Sequence, residues 1–436
     1  MNESILQAGL FAMVMCATEG VFTAPSLENF LTLASGWLLC RSRRTTTGLI
    51  VAARALGNRH FSRFHALFSS AAWNSRDLWL GIMRTVAREL VPTGEIVLVG
   101  DDTVQGKSGK KISGASNWRN ACGSTRQQYR FLWGLNLLIL GVAVDFCGRT
   151  FCLPINLRLY RKRQDCRRER RPYRTRSELM RQMALEATEA FVGRRLVLLV
   201  DGHYATSEML GNLPERLTVI TRLRRDAALH RAAPQRSPRG TGRPRLKGAR
   251  LPTPEQIAQR ARWPWQATAQ GREVKTLVTL WYGVAKTHRF RLVVLRQDNP
   301  REPYGYFLCA DPGWDADAIL SAYCRRWSIE ITIRDAKQHG GLGECQCRKP
   351  PAVDRQHAFT LAMMSLVMAW YMAQGHGTDR SAMRPWYRHK RGPTFLDMLA
   401  HARRQSVAQR VFGNSPRAPD MAETDKNILH YLEAAA

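Results

Sequence analysis

Apolar residues recur at spacings of three and four through Leu27, Leu31, Leu33, Trp37 and Leu38, and again through Leu78, Leu80, Ile82, Met83 and Val86. Such spacing lines one face of a helix, so residues 1–90 are expected to be helical. A basic turn, Arg41, Arg43 and Arg44, followed by Thr45 to Thr47, separates the two stretches. The region reads either as a small helical domain of its own or as a helical cap on the next domain.

From residue 95 the pattern changes. Glu95 to Gly100 (EIVLVG) is a short apolar run ending in Asp101-Asp102, and Gly106 to Gly114 is a Gly/Lys-rich turn. Phe131 to Phe146 and Thr150 to Tyr160 are β-like runs separated by Cys147-Gly148-Arg149, and a very basic loop, Arg161 to Arg176, follows them. A helix is expected from Ser177, as N-cap, to Phe191. Arg195 to Tyr204 (RLVLLVDGHY) is a buried-type strand ending in an acid, Ala205 to Leu210 a short helix and Arg216 to Arg224 another strand. That order suits an α/β fold, a mixed sheet with helices on its faces. Arg231 to Arg250, rich in Arg, Pro and Gly, reads as loop. The alternating runs Val274 to Val284 and Arg289 to Arg296 suggest a β-rich insertion. A strand at Tyr304 to Ala310, a long helix from Asp315 to about Gly340, an apolar helix at Ala358 to Ala373 and a helix from Thr394 complete the pattern. The boundaries are residues 1–90, 91–224, 225–304, 305–375 and 376–436, the last a helical tail.

Charge narrows the partners. The 436 residues carry 66 Lys and Arg against 35 Asp and Glu, a formal charge of +31. So large an excess attracts a polyanion, and nucleic acid is the commonest. The helical region 1–90 is then a candidate DNA-binding domain, and the loop Arg161 to Arg176 reads as phosphate contact or as solvated linker. No apolar run reaches the length of a membrane span, so no membrane association is expected. The first 40 residues hold no Lys or Arg, which argues against a signal or transit peptide. Ten cysteines are scattered without zinc-ribbon spacing and read as reduced thiols, so a cytoplasmic protein is expected.

Asp101 (or Asp102) and Asp201 stand where buried strands end, a position from which a carboxylate can hold a divalent cation, although acids also end strands as plain turn residues. On an unbroken helix at 100° per residue, Tyr323, Arg326, Glu330, Arg334 and Lys337 share one stripe, with Ala322, Ile329, Ile333 and Ala336 on the neighbouring face. An acid, a tyrosine and flanking cations thus share a ridge beside the core face.

Tyr323-x(2)-Arg326-x(3)-Glu330-x(6)-Lys337 resembles the Tyr-Arg-Glu-Lys signature of bacterial insertion-sequence DDE transposases, and Arg326-Trp327-Ser328-Ile329-Glu330 resembles the same branch's Arg-Trp-x-Ile-Glu run. Asp101-Asp102-Thr103 is similar to the first catalytic motif, Asp-x-Thr, whose spacing favours Asp101 over Asp102. Asp201-Gly202-His203-Tyr204 is similar to the second, with His203 where members often carry Arg. The resemblance spans roughly residues 95–375. It implies a ribonuclease H-like core interrupted by the β-rich insertion, and an enzyme that cuts DNA at element ends and joins the 3′-OH ends to target DNA. Asp101, Asp201 and Glu330 would ligate two Mg²⁺ ions, with Mn²⁺ as a substitute. Tyr323, Arg326 and Lys337 would contact DNA phosphates, and Trp263, Trp265 and Trp281 would stack on an unpaired base or lie in the core. Implied partners are double-stranded DNA, terminal inverted repeats, target DNA and a second copy in a homodimer, in a cytoplasmic, nucleoid-associated setting. The alternative is a catalytically inactive or domesticated transposase-derived DNA-binding regulator.

Overall fold

The computed structural model describes residues 6–412, apart from residue 58, residues 121–122, residue 126 and residues 235–242, 380–389 and 391. Five helices open the chain: α1 (Ala8–Thr18), α2 (Ala24–Leu39), α3 (Thr46–Ala52), α4 (Ser62–Ser69) and α5 (Ser75–Leu90). Then come β1 (Ile96–Gly106), β2 (Ser116–Arg119), β3 (Phe131–Phe146), β4 (Arg149–Tyr160), α6 (Arg163–Arg168), α7 (Arg176–Ala190), β5 (Leu196–Val200), α8 (Ser207–Leu210) and β6 (Leu217–Arg222). The segment expected as a β-rich insertion holds α9 (Pro254–Gln259), β7 (Gln266–Ala267), β8 (Glu273–Leu280), α10 (Tyr282–Ala285) and β9 (Arg289–Arg296). The remainder is β10 (Tyr304–Cys309), α11 (Ala316–Cys324), α12 (Trp327–Asp335), α13 (Pro350–Trp370) and α14 (Phe395–Phe412).

The ten strands make one mixed sheet flanked by helices, in the order β2-β3-β1-β5-β6-β10-β9-β8-β7 with β4 on β3. This is the expected ribonuclease H-like class. β1, β5 and β6 are parallel, while β2, β3 and β4 pair antiparallel among themselves, as do β6 with β10, β10 with β9, β9 with β8 and β8 with β7. The strands β7 to β9 extend the main sheet beyond β10, because β9 pairs with β10 along its length.

Two compact units are built from interleaved segments. One comprises Met1–Thr93, Asp102–Tyr173 and Ile331–Ala436. In it α1, α4 and α5 pack on α13, while α14 packs on α2 and α13. Apolar sequence drives this: α5 buries Leu78, Ile82 and Val86 on one stripe, while α13 is buried almost all round. The helix from Pro350 to Thr378 is long and apolar enough to cross a membrane, but 89% of its most apolar window is buried inside the protein. It is a core helix that covers β4. The other unit comprises Gly94–Asp101 and Arg174–Glu330.

Four local expectations shift. The helix expected from Ser177 starts earlier, because Thr175 closes a capping box: its hydroxyl accepts from Glu178 N and its own N–H donates to the Glu178 carboxylate. The run Val274 to Val284 is strand only to Leu280, after which the chain turns into α10. The basic loop holds the short helix α6. Finally, the single long helix from Asp315 to Gly340 is three pieces. At Arg325 and Arg326 the backbone tightens into i→i−3 hydrogen bonds, Arg325 N to Ala322 O and Arg326 N to Tyr323 O. Past Asp335 the turns widen into a π segment, Ala336–Gly340, which ends on Gly341 at φ +80°. The ridge computed on an unbroken helix therefore does not carry over as drawn.

Candidate active site

β1 and β5 run parallel with Gly100 opposite Val200. Asp101 and Asp201 are the next residue on each, so the two acids follow a matched register pair on strands about 4.8 Å apart. The Met180 side chain of α7 packs directly over Gly100, where a Cβ would fall 2.5 Å from Met180 Sδ and push that flexible thioether aside.

β1 does not end at its acids, as the sequence suggested, but continues to Gly106. Successive side chains on a strand point to opposite faces, and the tandem acids part accordingly. Asp101 Oδ2 lies 3.2 Å from Arg326 Nη1, whereas Asp102 Oδ2 accepts from Asn136 Nδ2 at 2.9 Å. Asp201 stands at the mouth of a 3₁₀ turn, Gly202–Tyr204. Its carbonyl accepts from Tyr204 N at 2.9 Å and from the Thr221 hydroxyl at 3.1 Å, which fixes the backbone that carries the carboxylate. His203 is exposed, with Nε2 3.4 Å from Arg176 Nη1.

Arg326 links the acids. Its Nη2 donates to Glu330 Oε1 at 2.5 Å, one turn along the helix, while Nη1 reaches Asp101. Its side chain is 14% exposed. Burial pulls the guanidinium pKa down, but Tyr323, the hydrogen bond to Glu330 and the Asp101 charge outweigh that and leave it raised. Tyr323 packs edge-on against Phe307, with ring centroids 5.0 Å apart. Its buried hydroxyl has no hydrogen-bond partner among the described residues. Burial pushes this phenol well above its ordinary value; the Arg326 and Arg222 charges oppose the shift and those of Asp201 and Asp101 add to it. Tyr323, Arg326, Asp101, Asp201 and Arg222 thus lie within electrostatic reach of one another.

Lys337 belongs to the other unit. It is exposed, and its Nζ donates to Val104 O of β1 at 3.2 Å. Arg334 turns to Asp335, at 3.0 Å.

Carboxylate oxygens are the donors that Mg²⁺ prefers, and Asp101, Asp201 and Glu330 supply nothing else. Among the described residues, no three His, Cys, Asp or Glu are placed to grip one ion together. Arg326 is instead the positive charge shared by Asp101 and Glu330. The donor chemistry fits a divalent ion.

Two tryptophans suggested as stacking platforms are otherwise engaged. Trp281 is 6% exposed. Trp265 has Arg296 and Lys275 over its ring at 4.4 and 4.6 Å and stacks on Tyr304 at 5.8 Å. Among the described residues the exposed tryptophan is Trp327, 60% accessible beside Arg326. The sequence reading gave it no role, although the Arg-Trp-x-Ile-Glu run contains it. Arg222 was missed as well. Strand periodicity marks it only as the end of β6, and its place beside Tyr323 is a tertiary fact.

Comparison with known proteins bears on this geometry. The family model of the DDE superfamily endonucleases matches residues 20–287. The match spans more than half of the chain and includes Asp101 and Asp201, and it stops before the helix that carries Glu330. No curated protein matches the chain. Matched acids on adjoining parallel strands and a family match of this extent agree: the chain belongs to the DDE superfamily endonucleases.

Proposed function

We propose that the chain is a DDE transposase that cleaves DNA at the ends of a mobile element and joins the freed 3′-OH ends to target DNA. The observation that carries this reading is the shared guanidinium: Arg326 draws Asp101 and Glu330 together across the fold, and Asp201 follows the register partner of the residue before Asp101. Asp101, Asp201 and Glu330 would hold two Mg²⁺ ions, with Mn²⁺ as a substitute. Such a pair activates an oxygen nucleophile and stabilises the leaving oxygen of a phosphodiester.

The chain's own residues do the rest. Arg326, released from the carboxylates, offers its planar fork to a phosphate, and Lys337 offers a point charge. Tyr323 keeps its proton at neutral pH and so can donate to a phosphate oxygen. The Tyr-Arg-Glu-Lys signature and an insertion-sequence origin belong to this reading, as do terminal inverted repeats and a homodimer on DNA. A domesticated regulator would have no need of the complete acid set.

The test is a labelled element-end duplex incubated with the protein and a target duplex in Mg²⁺, in Mn²⁺ and in EDTA. Cut and joined products that depend on the metal support the proposal. Tight binding without either product supports the regulator instead.

A further inference from the structure

The loop after β1, the α6 segment and the approach to α13 meet in a cleft of about 500 Å³ within one compact unit. Lys110 and Lys111 line it from the loop, Arg168 and Arg171 from α6 and just beyond, and Arg348 from the approach to α13. The walls are fixed: Ser113 N donates to Arg348 O at 3.0 Å, and Trp133 Nε1 donates to Gly109 O at 3.1 Å. The Ser113 hydroxyl, which also lines the cleft, is buried without a hydrogen-bond partner among the described residues.

These cations are under-neutralised. Asp165 pairs with Arg168 at 3.1 Å, and Glu169 pairs with Arg171 at 3.3 Å and Arg161 at 3.4 Å. No described carboxylate pairs with Lys110, Lys111 or Arg348. Five positive groups with one lining acid, Glu169, repel one another unless an anion is supplied. Beneath the next stretch of the same wall, Lys162 lies over the Trp118 ring at 5.1 Å, so the positive surface continues past the cleft.

We propose that this cleft is a clamp for the phosphodiester backbone of DNA, separate from the residues assigned to cutting. The proposal rests on the reading of the chain as a DNA-acting enzyme. A small anion would be largely enclosed by its site, whereas here the cationic heads stand at the rim: Arg168 is 72% exposed and Arg171 42%. Rim cations on three chain segments suit an extended polyanion read by charge and not by base sequence. The basic run Arg161 to Arg176 then has a task as part of one wall.

The experiment measures binding in EDTA, on a Glu330→Gln background, so that cutting does not enter. Removing Lys110, Lys111, Arg168 and Arg348 together (all to Ala) should weaken duplex binding more than about tenfold and lower the slope of log affinity against log salt by about 3–4. The charge-preserving pair Arg168→Lys and Arg348→Lys should keep the wild-type slope, which separates lost charge from lost fold. Unchanged affinity and slope in the alanine variant would overturn the clamp. So would competition by micromolar inorganic pyrophosphate that the alanine variant abolishes, since the cleft would then be a small-anion site. The two readings fail separately: a chain that cuts in Mg²⁺ but binds DNA equally well without the four cations loses only the clamp. One that binds through them but never cuts loses only the enzyme.

Discussion

The Arg326 guanidinium reaches Asp101 at 3.2 Å across 225 residues of sequence. The same group holds Glu330, so two carboxylates that would otherwise repel are pinned by one positive charge. The arrangement is a charge-balanced resting state for acids whose proposed task is to hold a more concentrated charge.

Glu330→Gln keeps the size of the side chain and removes its charge. Metal-dependent cutting and strand joining are expected to fall together, by more than roughly 100-fold. Binding to an element-end duplex in a gel-shift assay should persist. A variant that still cuts near the wild-type rate would take Glu330 out of the active site.

The tandem acids should separate cleanly. Asp101→Asn is expected to abolish cutting, because Asp101 faces Arg326 and Glu330. Asp102→Asn should retain most activity and lose about 1 kcal/mol of stability through its hydrogen bond to Asn136. Cleavage rates and thermal melts of the two variants, side by side, decide it; the reverse ranking would move the proposed ligand to Asp102.

At Arg326 charge and shape come apart. Arg326→Ala leaves a pair of partly buried carboxylates without their counter-charge, and a loss of about 1–3 kcal/mol is expected, between exposed and buried ion pairs. Arg326→Lys restores the charge but not the fork. It should recover melting temperature more fully than cleavage. Equal recovery of both would confine Arg326 to a structural ion pair.

Trp327 exposes most of its ring, so Trp327→Ala should leave the melting temperature nearly unchanged. If the ring receives an unpaired base, binding of duplexes with a frayed or unpaired end should weaken by about 1–3 kcal/mol, and binding of fully paired duplex should not. Equal effects on both substrates would exclude stacking.

His401 tests the helical region. Its ring stacks on Trp370 at 5.6 Å and faces Asp379 and Arg404. Burial lowers its pKa; Asp379 opposes the shift and Arg404 adds to it. The unfolded chain therefore takes a proton near the ordinary value of about 6.5 while the folded chain still excludes it. Stability should fall as pH drops below that value, until the folded ring also titrates. His401→Gln should show a smaller loss of melting temperature between pH 7.5 and 5.5 than the wild type.

Much of this was legible from periodicity. Buried strands such as Leu196–Val200 are unbroken apolar runs, and β9 spans the residues read from alternation alone, because half-buried strands write their period into the sequence. The parting of Asp101 from Asp102 follows from strand alternation once β1 is known to continue, but EIVLVG gives no sign that it does. The break at Arg325 and Arg326 was hidden for a related reason. Residues on both sides favour helix, so only the hydrogen-bond pattern shows the tightened turn. Arg222 could not be found from sequence, since what places it beside Tyr323 is the pairing of β6 with β10.

The chain passes between its two compact units at Thr93–Gly94, Asp101–Asp102, Tyr173–Arg174 and Glu330–Ile331. The three acids all fall in the unit made of Gly94–Asp101 and Arg174–Glu330, which no contiguous fragment reproduces. A fragment running from Asp101 to Glu330 carries β4 but not α13, and so bares an apolar strand that the full chain covers. Such a piece should aggregate on expression. The proposed catalytic acids therefore cannot be borrowed as a contiguous module: any single segment that spans them also carries β4 away from α13, the helix that covers it.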